Sequence, residues 1–158
     1  MVEGLVSSVE ELKQLVGQET RVGDWFEVTQ ASVDAFADAT GDHQWIHVDP
    51  ERAKSGPFGG TIAHGLYTLS IGHLLFQGGQ SVKLQIPVKM GINYGYNRIR
   101  FPSPVRVGSR IRGRSKLVSV EEVEPNVLQQ VQEVMVEVEG QTKPAMVAEH
   151  VTRLYLSG

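Results

Sequence analysis

From residue 63 the chain reads Ala63-His64-Gly65-Leu66-Tyr67-Thr68-Leu69-Ser70-Ile71-Gly72-His73-Leu74-Leu75-Phe76. The segment is apolar on almost every side, with small residues at Gly65, Ser70 and Gly72. It therefore predicts a helix over about residues 63–77 that other elements must surround. Four valine-rich strand candidates downstream can supply that surround: residues 92–101, 110–120, 128–138 and 145–156. They are separated by Pro102-Ser103-Pro104, Glu124-Pro125-Asn126 and Gly140-Gln141-Thr142-Lys143-Pro144. Alternation is clearest where Val134, Val136 and Val138 oppose Glu133, Glu137 and Glu139, with Met135 interrupting it. Strands following helices predict an α+β domain with an antiparallel meander.

Upstream, Ser8-Val9-Glu10-Glu11-Leu12-Lys13-Gln14-Leu15-Val16-Gly17 combines a serine cap, early acidic residues and a stopping glycine, and predicts a short amphipathic helix in an N-terminal extension over residues 1–20. Residues 24–28 form a short strand candidate. Thr29 caps a helix over 31–40, whose Val33, Phe36, Ala37 and Thr40 lie near one face. Gly41 supplies the left-handed stop, and Asp49-Pro50 reads as the N-cap and first residue of the next helix, over about 48–56. Asp42 and His47 then share one short loop. The run Ser55-Gly56-Pro57-Phe58-Gly59-Gly60 is either a flexible cover for a substrate or a plain connector.

A carboxylate and an imidazole in one loop can hold a water between them, one group taking a proton while the other orients or returns it. The plain alternative is a helix-capping aspartate beside a partly buried histidine. Free aspartate titrates near ~4 and histidine near ~6.5, so histidine is the natural base at neutral pH, although the spacing alone leaves the assignment open. At Gly65, unpaired N–H groups of a helix start can bind a developing oxyanion, or the glycine serves tight packing. His43 and His47 are four apart, but Gly41 before them and Asp49-Pro50 after them break any continuous helix, and no H-E-x-x-H occurs; no metal is expected. No G-x-S-x-G elbow is present, and there is no cysteine to act as nucleophile, thiolate ligand or disulfide partner.

Gly91-Ile92-Asn93-Tyr94-Gly95-Tyr96-Asn97-Arg98-Ile99-Arg100-Phe101 is an unusual strand, because Gly95 interrupts its alternation; a bulge or a closely passing ligand explains such a glycine. Arg110, Arg112, Arg114 and Lys116 share one strand face, which reads either as a coenzyme A phosphate site or as a solvated face. Composition is ordinary, with 41% hydrophobic and 21% charged residues, and 158 residues suit one domain spanning 1–158. A net charge of -3 gives no reason to expect a nucleic-acid partner. No basic start with an apolar core and no run approaching ~18 apolar residues is present, so neither export nor a membrane span is expected and a cytoplasmic protein is.

Residues 39–50, Ala39-Thr40-Gly41-Asp42-His43-Gln44-Trp45-Ile46-His47-Val48-Asp49-Pro50, followed by Phe58-Gly59-Gly60-Thr61-Ile62-Ala63-His64-Gly65, resemble the MaoC-like family of (R)-specific enoyl-CoA hydratases. The resemblance covers roughly residues 20–156 and implies a hot-dog fold, in which a curved antiparallel sheet wraps a central helix. It implies syn hydration of a trans-2-enoyl-CoA thioester to a (3R)-3-hydroxyacyl-CoA, with Asp42 and His47 catalytic and the Gly65 N–H as oxyanion donor. Asn93, Asn97, Arg98 and His64 become substrate-binding candidates. A homodimer is implied, with no cofactor beyond the coenzyme A of the substrate. The alternatives are dehydration of 3-hydroxyacyl chains on acyl carrier protein, thioester hydrolysis, and a non-catalytic acyl-thioester-binding subunit.

Overall fold

The computed structural model describes residues 4–157. Strand β1 (Leu5–Val6) is followed by helix α1 (Val9–Gln14), then β2 (Glu19–Val22), β3 (Phe26–Glu27) and helix α2 (Gln30–Thr40). Three short helices come next, α3 (Trp45–Val48), α4 (Pro50–Lys54) and α5 (Gly65–Ser70), then α6 (Gly72–Leu75). The rest is strand: β4 (Gln80–Ser81), β5 (Lys83–Leu84), β6 (Val88–Arg100), β7 (Arg110–Glu124), β8 (Val127–Val138) and β9 (Met146–Leu156).

The helix signals in the sequence act as expected. Ser8 Oγ accepts from the Glu11 N–H, Thr29 Oγ1 from Ser32 and the Asp49 carboxylate from Arg52, each satisfying a first-turn donor. Gly41 ends α2 at φ +80, where a side chain would be strained. The N-terminal extension is helical only over Val9–Gln14. Leu5–Val6 pairs in parallel with β5, and Glu19 already belongs to the main sheet. Met1–Glu3 of that extension lie outside the described residues.

The main sheet has the order β4-β2-β7-β8-β9-β6, with β3 also pairing β7. Three strands, β7, β8 and β9, form the expected antiparallel meander. The fourth candidate does not join it in sequence order. β6 lies beyond β9 as an edge strand, and residues 101–109 carry the chain back to β7. Gly95 marks a bulge in β6, where the register with β9 shifts.

On β8 the even-numbered residues face inward, and Val134, Val136 and Val138 join Val28, Val33, Tyr67, Leu75 and Ile111 in the larger core cluster. Met135 sits on the outer face with Glu133 and Glu137, so it breaks the polarity pattern and not the pleat. α5 rests against β9 and α6 against β7, so the helical segment crosses the inner face of the sheet. Where it crosses β7, a Cβ on Gly113 would lie 2.8 Å from the Phe76 ring. A second cluster, Val6, Leu12, Ile86, Leu117, Val120 and Leu128, packs α1 against the far end of the same strands.

The helix expected over 63–77 is two short segments broken at Ile71, which has φ −82 and ψ 17. Ser70 Oγ donates back to the Leu66 carbonyl, and a β-branched residue followed by glycine holds helical geometry poorly. Leu66 and Leu74 remain exposed in the isolated chain, so the segment is not enclosed all round by its own sheet.

Candidate active site

Asp42 follows Gly41 directly, and its Oδ1 accepts from the Gln44 N–H at 3.4 Å. His47 does not lie in open loop as the sequence suggests. It sits on α3, a single helical turn ending at Val48, and is buried. That turn is tied down on two sides: the Ile62 N–H donates to the Ile46 carbonyl at 3.0 Å, and Gln30 Nε2 donates to the His47 carbonyl at 2.7 Å. Gln30 is itself held by Thr61, whose hydroxyl donates to its Oε1 at 2.6 Å.

These ties fix the chemistry of the ring. His47 Nδ1 donates to the Ile62 carbonyl at 2.7 Å, which leaves Nε2 as the lone-pair nitrogen. Burial pushes the His47 pKa below the ordinary imidazole value and the adjacent His64 pushes the same way, against the Ile62 hydrogen bond and the Asp42 charge. His47 is therefore neutral and basic at pH 7.

His64, the residue before α5, stacks on His47 with ring centroids 3.7 Å apart and an interplanar angle of 26°. Its Nε2 donates to the Asp42 backbone carbonyl at 2.9 Å, while its Nδ1 is buried with no protein partner. One nitrogen of each imidazole and one Asp42 carboxylate oxygen all lie within 4.8 Å of one another. That separation lets one water bridge them. Two imidazoles and a carboxylate are also a donor set that a divalent cation accepts.

Gly65 begins α5 beside this cluster. A Cβ there would lie 2.9 Å from the Phe101 ring, so close packing alone requires glycine, and its N–H is in the first turn, where no helical carbonyl reaches it. The other candidates lie elsewhere. Asn93 Oδ1 accepts from His150 Nε2 at 3.0 Å, Arg98 pairs with Glu149 at 3.0 Å, and Asn97 is exposed on β6. Among the described residues, no hydrogen bond links these three to Asp42, His47 or His64. His43 turns away to Asp38, 2.8 Å distant, which raises its pKa on the surface. The arginine stripe is a paired outer face: Arg110 meets Glu139, Arg112 meets Glu137, and Arg114 meets Glu19 and Glu137.

The family model described as "MaoC like domain" matches residues 11–139. The chain belongs to this MaoC-like family. A Mycobacterium tuberculosis relative, 3-hydroxyacyl-thioester dehydratase Z, is 52% identical over 92% of this chain and 95% of its own length. Nodulation protein N of Rhizobium leguminosarum bv. viciae is 45% identical over 92% and 89%. Among solved structures, an (R)-hydratase of A. caviae involved in PHA biosynthesis aligns with TM-score 0.68 and 28% identity, covering 87% of this chain and 94% of that one. The MaoC-like chain thus has the hot-dog fold, and its family is one of hydratases and dehydratases, that is, hydro-lyases.

Sequence reading missed the clamp on α3 by Gln30, Thr61 and Ile62, because these residues meet only in three dimensions. It also missed a cavity of about 500 Å³ under α5 and α6. This MaoC-like interior space is not lined by Asp42, His47 or His64. On α5 the first residue to line it is Leu69, one helical turn beyond Gly65. Its polar wall carried a signal: the inward parity of Val134, Val136 and Val138, extended backwards, puts Gln132 and Gln130 inside.

Proposed function

We propose that the protein hydrates trans-2-enoyl-CoA to (3R)-3-hydroxyacyl-CoA, and catalyses the reverse dehydration, in the cytoplasm. The observation that carries this is the His47 ring, locked through Nδ1, one nitrogen of which lies within 4.8 Å of an Asp42 carboxylate oxygen around a space suited to one water. His47 Nε2 takes a proton from that water as its oxygen bonds to C3. The C2–C3 π electrons shift toward C2 and the thioester carbonyl, whose oxygen gains negative charge and accepts from the Gly65 N–H. The proton on His47 then passes to C2 on the same face, so H and OH add syn and the atoms of one water are accounted for. Asp42 orients the water and offsets the charge on the imidazolium. The similarity to a 3-hydroxyacyl-thioester dehydratase at 52% identity supports the substrate class.

We also propose a homodimer through β6. This edge strand runs thirteen residues, pairs on one side only among the described residues, and exposes Val88, Met90, Ile92 and Tyr94, a surface that a second copy covers by strand pairing. Crotonyl-CoA and crotonyl-acyl carrier protein, assayed side by side with chiral analysis of product, test the reaction. Turnover of the CoA thioester to the (3R) product is expected. Turnover confined to the carrier-protein thioester reassigns the protein to carrier-bound dehydration, release of free acid reassigns it to hydrolysis, and turnover of neither leaves the non-catalytic binding reading.

A further inference from the structure

The inner face of a hot-dog sheet that only had to pack against its helix would be apolar throughout, yet two adjacent rungs here are polar. Gln130 stands opposite Thr152, which stands opposite Asn93; in the next rung Gln132 faces His150, which faces Tyr96. Apolar residues lie on both sides along β8, with Val134 and Val136 in the larger core cluster and Leu128 in the cluster that holds α1, while Leu117 of β7 stands opposite Gln132. The cavity of about 500 Å³ occupies this level, begins on α5 at Leu69 and reaches Leu12 and Leu15 of α1. Leu69 is four residues from Gly65, about 6 Å along a helix.

The hydrogen bonds along the polar wall run in one direction. Ser115 Oγ donates to Gln132 Oε1 at 3.3 Å, and Gln132 Nε2 donates to Gln130 Oε1 at 3.3 Å. The chain of donors ends at Gln130 Nε2, which is buried without a partner in a residue only 4% exposed. A buried donor left unmatched is unfavourable, so this one calls for an acceptor. Arg21 adds to the excess of donors. It lines the same cavity with its guanidinium 4.6 Å from the centre of the Phe76 ring, and among the described residues it makes no ion pair. His150 donates through Nε2 to Asn93, and burial together with the charge of His73 keeps its pKa below the ordinary value, so the neutral ring retains Nδ1 as an acceptor.

We propose that this cavity is a second recognition site, which binds an acceptor oxygen (hydroxyl, keto or carboxylate) carried on the acyl chain of the substrate, with Gln130 Nε2 as its donor. The inference rests on the thioester reading above and narrows its substrates to oxygenated acyl chains. A site built to hydrogen-bond a polar group rejects the analogue that lacks it far more strongly than an apolar pocket discriminates by size.

Saturated acyl-CoA ligands test this apart from catalysis, because they have no double bond to hydrate. Binding of octanoyl-, decanoyl- and dodecanoyl-CoA is compared by calorimetry with their ω-hydroxy and ω-carboxy counterparts, in the wild type and in Gln130→Met and Arg21→Met. At one chain length or more, an oxygenated ligand is expected to bind about tenfold tighter than its plain counterpart. Gln130→Met should erase that gain in a protein that is still folded, with a lower melting temperature because Gln132 Nε2 loses its acceptor, and Arg21→Met should weaken only the carboxylate. Equal or tighter binding of the plain chain at every length overturns the proposal and assigns water to Gln130. So does an unchanged ratio in folded Gln130→Met. Failure of every acyl-CoA to bind is a different result, and it removes the thioester reading itself.

Discussion

At the scale of single residues, the site depends on which nitrogen of which ring is free. His47 gives its Nδ1 proton to a backbone carbonyl, and burial keeps Nε2 unprotonated. The acid limb of a kcat/KM profile is therefore expected to have its midpoint below about 6.5, the ordinary histidine value; a midpoint above it contradicts the assigned base. The same shift has a stability consequence. The pKa values of His47 and His150 are both lowered on folding, so their contribution is fully present above about 6.5 and is lost as pH falls through the lowered folded values. Melting temperature should drop between pH 7.5 and pH 5. His43, whose pKa is raised, works in the opposite sense but is exposed and well screened. If water and not a cation occupies the space among Asp42, His47 and His64, dialysis against EDTA leaves turnover unchanged, while loss of turnover restored by a divalent ion would establish a metal site.

At the scale of elements, caps and stops were the most legible features, because each is a local arrangement of a few adjacent residues. Ser8, Thr29, Gly41 and Asp49-Pro50 all occupy the positions their chemistry suggests. The α5–α6 segment was legible as a buried element but not as a broken one, since the break at Ile71 comes from a serine back-bond and a β-branched residue before glycine, and an apolar pattern does not reveal these. The crossing over β7 is tight enough to predict a cost. Gly113→Ala places a methyl group 2.8 Å from the Phe76 ring and 3.1 Å from the Leu75 carbonyl, and overpacking of this kind costs about 1–3 kcal/mol. Denaturant unfolding should show that loss, and an unchanged midpoint would mean that α6 is free to shift.

At the scale of the whole molecule, local pattern gave the strands and misplaced one of them. β6 precedes β7 in the chain yet lies beyond β9, a non-local choice that no residue in either strand announces. The pairing of the arginine stripe with glutamates was equally hidden, because Glu19 lies far from Arg114 in sequence and meets it only through β2. Asp42 and His47 were legible because only four residues separate them, whereas the third member of the cluster, His64, was singled out without its stacking on His47. The exposed edge of β6 carries the dimer expectation. Light scattering should give twice the chain mass, and the double variant Met90→Lys with Tyr94→Lys, at two exposed positions of that strand, should shift it to the mass of one chain. A wild-type monomer would leave β6 for another partner.

The measurement closest to the central claim is hydration of crotonyl-CoA by the wild type, Asp42→Asn and His47→Gln, with circular dichroism and melting curves for all three. The account predicts turnover in the wild type and a loss of about 10²–10⁴-fold in kcat for each folded variant. Folded variants that turn over at the wild-type rate would contradict it, because the water would then be activated by other groups.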